Sequence, residues 1–409
     1  MLVSFSIKNF MSIKDKQTFS FVASSDKSLL ESNTFEFGSG KNNRLLNSSV
    51  IYGANASGKT NLIRAFYFFQ DFVRKSATVL QEGQSIFSFK PFKFSKECLS
   101  SPGEFEIIFI YEGIRYCYGF ALTETRITHE WLTAYPKGKP QKWFERFFDA
   151  QTQEYTWKIG ENFKGEHSSW RALTRPNALF LSTAVQFNSK QLQPVFHWID
   201  KNLIVIFPGI DFNGLLTLNM FDDEQTRARL LNFMQIADLG IEDFQVKKEE
   251  TNIGLQASTR LYKIAALHKI EGSTELISLD FDQESLGTQK LFWLAGGWIK
   301  ALQEGAVLLY DELSSSFHPH ISRFLINQFH TPHINRKNAQ LIISTHDTTL
   351  LDESIFRRDQ VWFTKKNHEE QSTQLYSLLE YSPRKGEAIE KGYLKGRYGA
   401  LPFIGIPEL

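Results

Sequence analysis

Apolar and polar side chains alternate over residues 2–8, the two-residue period of a strand that buries one face. A second apolar run, Leu46–Tyr52, ends in a glycine-rich turn and reads as a buried strand. Over Thr60–Lys75 the period changes. Leu62, Ile63, Phe66, Phe69 and Phe72 fall on one face of a helix. From Phe92 to Tyr135 the pattern returns to β, with EFEIIFIY, the Glu112-Gly113 turn and IRYCYGFAL forming a hairpin. A second hairpin is expected at Lys142–Lys158, and Leu179–Leu181 reads as a short strand.

Residues 189–202 and 223–238 carry helical patterns. The second opens on acidic residues and stops at Gly240, as helix polarity favours. Residues 243–281 look mostly extended. A helix is expected from Thr288 to Leu302, a buried strand at Ala306–Tyr310, a helix at Ile321–Phe329 and a buried strand at Gln340–Ser344. That alternation predicts a parallel sheet with crossovers. No internal repeat and no sustained heptad pattern is found, which excludes a long coiled coil.

Composition changes this picture little. The chain has 409 residues, 42% of them hydrophobic, enough for a large core and two or three modules. Its 37 phenylalanines read as core filling. A formal net charge of +1 lacks the basic excess that nucleic-acid-binding domains usually carry. Cys98 and Cys117 form neither a metal spacing nor a disulfide framework, which fits a reducing cytoplasm. No apolar run approaches the roughly 20 residues of a membrane helix, so a soluble cytoplasmic protein is expected.

The chemistry lies at the strand ends. Gly53-Ala54-Asn55-Ala56-Ser57-Gly58-Lys59-Thr60 matches G-x-x-x-x-G-K-[ST], set between a strand and a helix. Its glycines let backbone N–H groups curl around phosphate oxygens, and the next helix points its N-terminus at the same anion. Gly53, Asn55, Ala56, Ser57, Gly58, Lys59, Thr60 and Asn61 are therefore the candidate ATP-binding residues. Lys59 supplies charge to the β- and γ-phosphates, and the Thr60 hydroxyl suits Mg²⁺.

AVLLYDEL, residues 306–313, is an apolar strand ending in two carboxylates. Asp311 is the metal-side candidate, and Glu312 the base that polarises water. QLIISTHD places His346 at the end of another such strand, where ligands collect in α/β sheets. Glu284-Ser285-Leu286-Gly287-Thr288-Gln289-Lys290 opens a helix and makes a second anion site. One chain already has its own phosphate loop, so this site is best explained by the nucleotide of another subunit. Asp280-Phe281-Asp282 fits an alternating strand better than a metal pair.

The order of phosphate loop, S-x-G-T-Q helix, DE strand and H strand resembles ABC ATPases, and within them the SMC/RecF-like heads. The segments IKNFMSIKD, IYGANASGKTNL, LFLSTAVQFN, ESLGTQKLFWLAGG, LLYDELSSSFHPH, LIISTHDTTLLD, FRRDQVWFTKK and GYLKGRYGALPFI are similar to AAA15-type ATPases of the RloA/AbiL-like phage-defence group. The resemblance implies an α/β, two-lobed ABC-type head with an antiparallel β lobe, a parallel-sheet core and a short, mostly helical insertion. The corresponding spans are 1–188, 189–275 and 276–409. It implies ATP and Mg²⁺ as ligands and an ATP-sandwich homodimer, or a higher homo-oligomer. In it Ser285 and Gly287 face the partner's γ-phosphate, Glu312 is the catalytic base, His346 the switch histidine, and Gln186 the residue between the lobes that senses Mg²⁺ and water.

Two positions depart from the pattern. Leu286 stands where transporters carry Gly, and Ser314 where relatives often carry Asp, which puts coupling between the two sites in doubt. The segment after His346 is too short for a TOPRIM nuclease, so any effector, such as an RloB-like TOPRIM protein or another toxin, is expected on a separate chain. Arg384, Lys385, Lys391, Lys395 and Arg397, among Tyr393 and Tyr398, would dock an effector or nucleic acid, or form a solvated basic face. Nucleic acid is admitted but not required. The expected function is an ATPase switch in antiviral defence; the alternative is a DNA-repair, DNA-binding ATPase of the RecF/Rad50 kind.

Overall fold

The computed structural model describes residues 1–38, 43–207, 214–236, 240–252, 258–315, 317–383 and 386–401. Two large sheets dominate it. The first is antiparallel, in the order β10-β9-β8-β7-β6-β1-β2. Its strands are β1 (Leu2–Lys8), β2 (Gln17–Ser20), β6 (Gly103–Tyr111), β7 (Ile114–Leu122), β8 (Ile127–Tyr135), β9 (Gln141–Asp149) and β10 (Glu154–Ile159). The second has the order β11-β15-β16-β5-β17-β18. It comprises β5 (Ser48–Gly53), β11 (Leu203–Ile206), β15 (Val307–Tyr310), β16 (Gln340–Ser344), β17 (Val361–Lys366) and β18 (Thr373–Ser377). Its first five neighbours pair parallel, and β18 runs antiparallel at the edge. Two minor sheets join β3 (Thr34–Glu36) to β4 (Arg44–Leu46), and β12 (Ile241–Asn252) to β13 (Ser258–Lys269) and β14 (Leu276–Asp280).

The main helices are α2 (Lys59–Lys75), α5 (Phe180–Gln186), α6 (Gln193–Lys201), α7 (Gly214–Asn219), α8 (Glu224–Ile236), α9 (Leu286–Glu304), α10 (Pro319–His330) and α11 (Ile389–Leu394). Short helices α1 (Leu30–Asn33), α3 (Lys96–Ser100) and α4 (His167–Leu173) fill connections.

Strand alternation explains the layering. In β5, Ile51 packs into the core shared with α2 and the antiparallel sheet, while Val50 and Tyr52 face the core shared with α9 and α10. In β15, Val307 and Leu309 take the first side and Leu308 and Tyr310 the second. The parallel sheet is buried on both faces, which is why its strands read as unbroken apolar runs. The phenylalanines fill the first core. Phe5 stacks on Phe66 with centroids 3.9 Å apart, and Phe69 on Phe120 at 5.2 Å. Buried Gln340, at the start of β16, ties the two sheets together. It accepts from the Leu2 amide at 2.6 Å and donates to the carbonyls of Leu2 and Leu46.

Three sequence expectations need correction. Leu179–Leu181 is not a strand; it enters helix α5. The cause is distant in sequence. The buried Glu130 carboxylate accepts the amides of Phe180 and Leu181 at 2.8 and 3.0 Å, satisfying the helix start with negative charge. Arg146 pairs with the same carboxylate at 2.9 Å, and both are essentially inaccessible. Breaking such a pair typically costs about 3–5 kcal/mol. Residues 189–275 are not mostly helical either. They hold α6, α7 and α8, but also the long β12–β13 pair, and β11 belongs to the central sheet rather than to an insertion. In the tail, Tyr393 and Tyr398 are buried against Phe363, with centroids 5.7 and 5.6 Å away, so they serve the core. Arg397 pairs with Glu387. Lys391 and Lys395 are exposed, and Arg384 and Lys385 lie outside the described residues.

One buried histidine predicts how stability depends on pH. His330 ends α10 and shares a 2.6 Å hydrogen bond with Ser48 Oγ at the start of β5. Burial pushes its pKa from 6.5 down to about 3. Below pH 6.5 the unfolded chain binds a proton here that the folded chain does not. Stability is therefore complete above 6.5 and falls as pH drops toward 3, by up to about 1.4 kcal/mol per pH unit from this group. Thermal melts of wild type and His330→Gln between pH 7.5 and 5 test this. The variant loses less stability on acidification; equal slopes would contradict the assignment.

Candidate functional site

The phosphate loop runs from the end of β5 into α2. Gly58 takes a φ of +109° and brings no capping side chain, so the first amides of the 17-residue helix α2 point outward uncapped. A Cβ on Gly58 would sit 2.2 Å from Thr373 Oγ1, and one on Gly53 2.4 Å from Thr364 Oγ1. Glycine is thus required at both places by close approach from β17 and β18. Hydrogen bonds hold the loop from behind. Ser57 and Thr364 hydroxyls lie 2.6 Å apart, Thr373 donates to the Ser57 carbonyl at 2.9 Å, and Ser12 bridges Thr373 and Asn61 at 2.7 Å each. Asn55 and Ala56 are exposed at the loop's tip.

Lys59 is buried and donates to the Gly53 and Ala54 carbonyls at 2.8 and 3.2 Å. Burial lowers its pKa, while Glu312 and Asp311, close enough to act on it, oppose the shift. The same parallel sheet brings these carboxylates across from the loop. The Asp311 amide bonds to Ile206 O of β11 at 3.1 Å. Asp311 itself is buried and accepts from Ser344 Oγ at 2.5 Å. Ser344 in turn accepts the Glu312 amide at 2.8 Å. Glu312 holds a φ of +57°, a left-handed backbone that a non-glycine residue adopts at a cost of about 1–3 kcal/mol. The Ser344 hydroxyl contact to its amide ties this bend to the end of β16.

His346 lies beyond β16 and faces solvent. Partial desolvation and the Lys59 ammonium lower its pKa, with Glu312 and Asp311 pulling the other way. All four groups therefore share one electrostatic neighbourhood. Ser314 and Thr345 hydroxyls, 2.5 Å apart, join the segments that follow the two strands. Ser316, in the same loop, lies outside the described residues.

Thr60 and Asp311 line one cavity of about 430 Å³, together with Met11, Arg64, Tyr67 and Phe207. Among the described residues no group of three His, Cys, Asp or Glu side chains could hold a metal unaided. Mg²⁺ is usually bound by one or two carboxylates plus substrate phosphate oxygens. The uncapped helix start, the buried ammonium and the Thr60–Asp311 pair fit a magnesium–polyphosphate.

Ser285 caps α9, its Oγ accepting the Thr288 amide at 3.1 Å. Ser285 is exposed, Leu286 is 72% exposed, and Gly287 follows in the first turn. None of them lines the cavity around Thr60 and Asp311. The helix start is open to another molecule.

Gln186 is the sequence candidate that the fold does not bring to the metal side. It is exposed at the C-terminal end of α5. That helix docks through Ser182 Oγ on Val73 O, about 20 Å along the α2 axis from Thr60. The chain that does reach Asp311 comes from β11, whose neighbour Phe207 lines the same cavity. Sequence reasoning also missed Ser12, Ser344, Thr364 and Thr373. Only Ser344 carried a signal, as the polar end of an apolar strand beside His346.

Comparison with curated proteins gives no match. Solved structures give distant likenesses. An SMC head bound to the C-winged helix domain of ScpA aligns with TM-score 0.39 and 12% identity, covering 93% of this chain and 99% of that one. A component of an ABC transporter complex from Clostridium perfringens gives 0.31 and 13%, covering 90% and 95%. A dimeric ATP-binding cassette in a post-hydrolysis state, bound to ADP and Pi, gives 0.33 and 10%, covering 91% and 98%. Among the described residues no helix is long and apolar enough to cross a membrane. The family described as "AAA domain, putative AbiEii toxin, Type IV TA system" matches residues 48–352, the span that holds the phosphate loop, Ser285, Asp311, Glu312 and His346, and the chain belongs to that family.

Proposed function

We propose that the protein is an ABC-type ATPase that pairs with a second copy across ATP and controls a separate effector in antiviral defence. The observation that carries the reading is that the neighbouring parallel strands β5, β16 and β15 bring the phosphate loop with Lys59, the segment with His346, and Asp311 with Glu312 to one edge of the sheet, while Ser285 caps an exposed helix start elsewhere. Lys59 and the first amides of α2 bind the phosphates. Thr60 and Asp311 hold Mg²⁺, which when bound draws charge from the phosphate oxygens. Glu312 orients a water and takes its proton. His346 contacts the terminal phosphate, and an added anion there favours its protonated form. Ser285 and Gly287 of one copy close on the phosphates held by the other.

The defence role is supported by the family's description, which names an AbiEii toxin and a type IV toxin–antitoxin system. It accords with the resemblance to RloA/AbiL-like ATPases, for which a TOPRIM-type or other toxic partner is expected. Purified protein with Mg²⁺ and ATP should release phosphate. No release by wild type, with Glu312→Gln indistinguishable from it, would refute hydrolysis.

Ser285→Arg tests the shared site. The residue is exposed and loss of its cap on α9 costs only about 1 kcal/mol, so the chain folds, and its own phosphate loop is untouched. ATP affinity of the monomer should change less than about twofold, while turnover falls at least tenfold. Turnover at the wild-type level would show that Ser285 does not act across an interface.

A further inference from the structure

A groove of about 590 Å³ lies between α8, the C-terminal half of α9 and α10, away from the phosphate loop. Its floor is apolar, with Phe233 on α8, Ile299 and Leu302 on α9, and Phe324 on α10. Ile236 and Ile334 also line it, 54% and 43% exposed. Its rim is basic. Arg229, His333, Arg336 and Lys337 are all exposed there, and no carboxylate is among the described lining residues. Arg336 Nε bonds only to the His333 carbonyl, and no ion pair to Arg229, Arg336 or Lys337 occurs among the described residues. In a chain of net charge +1, this is a local concentration of one sign over exposed apolar surface. Such patches mark interaction sites more often than neutral surface does.

We propose that this groove docks an acidic amphipathic helix of a partner protein. Three helices, α8, α9 and α10, line the groove and supply its apolar floor, a surface on which a helix lays its apolar face. The cations on both rims complement carboxylates on that helix's exposed flanks. Nucleic acid would meet the cations but find nothing for its phosphates on the floor. The groove also has a route to the nucleotide site. The α9 helix lines it with Ile299 and Leu302 and, at its other end, presents Ser285. The partner rests on the effector reading above, but its binding does not require ATP hydrolysis.

The test selects a displayed random peptide library on the nucleotide-free full chain, with counter-selection on an unrelated protein. The enriched peptides should carry net negative charge with apolar residues at i, i+3 or i+4, and i+7. In fluorescence anisotropy they should lose at least about tenfold in affinity for the charge-reversed variant Arg336→Glu/Lys337→Glu and for Ile236→Glu. All three positions are exposed, and unchanged melting temperatures establish that the variants fold. Peptides without acidic residues, or peptides bound equally by both variants, would overturn the proposal. So would displacement by a short DNA duplex that shows the same loss in the variants, which would assign the groove to nucleic acid. Phosphate release is measured separately. Intact peptide binding without hydrolysis would count against the ATPase reading alone.

Discussion

Lys59→Ala should abolish ATP binding at micromolar nucleotide. The ammonium sits buried at the mouth of the loop, within reach of the Gly53 and Ala54 carbonyls and close to two carboxylates. Without it, the negative charge of Asp311 and Glu312 is no longer offset by the ammonium beside them. Charge-assisted hydrogen bonds to phosphate are worth about 1.5–3 kcal/mol each. Losing one lowers affinity roughly 10- to 150-fold, and losing two lowers it by about 100-fold or more. The Gly53 carbonyl it leaves is buried and the Ala54 carbonyl partly so, so a thermal melt run alongside establishes that the variant folds. Equilibrium binding of a fluorescent ATP analogue measures the effect. An affinity within about threefold of wild type would mean that the phosphate loop is not the nucleotide site.

Glu312→Gln should behave differently, retaining ATP while losing hydrolysis. The amide is isosteric and suits the same left-handed backbone, so the Ser344 contact to residue 312's amide persists. What it lacks is a proton acceptor. General-base catalysis contributes roughly 100- to 10,000-fold, and phosphate release should fall by that order. Binding should be preserved or tightened, since one negative charge near the phosphates is gone. If the variant turned over at the wild-type rate, the base would lie elsewhere.

Much of this site was legible from sequence because each part is local. The phosphate loop, the apolar strand ending in Asp311 and Glu312, and the strand before His346 are contiguous patterns whose period and termini carry the signal. The strands β5, β15 and β16 and the helices α2 and α9 form as expected because both faces of the parallel sheet must be covered with apolar side chains. What was illegible depends on partners far away in the chain. Leu179–Leu181 has a strand's composition, yet Glu130, some fifty residues earlier, accepts its amides and starts a helix. The displacement of Gln186 follows from that same helix. Strand β11 is too short to announce that it completes the central sheet beside β15. Thr364 and Thr373 buttress the loop from strands that close on it only in three dimensions.

The departures at Leu286 and Ser314 also look different in place. Leu286 is an exposed apolar side chain beside Ser285, which an opposing subunit would cover. Ser314 has exchanged a carboxylate's charge for a hydroxyl contact with Thr345, the residue before His346.

The most direct test of the shared-site account is the mass of Glu312→Gln in solution. Light scattering coupled to size exclusion should give the monomer mass of 47.2 kDa without nucleotide and twice that mass with Mg²⁺ and ATP. Adding Ser285→Arg to the same chain should return it to the monomer. A Glu312→Gln protein that binds ATP yet stays at 47.2 kDa would contradict the account.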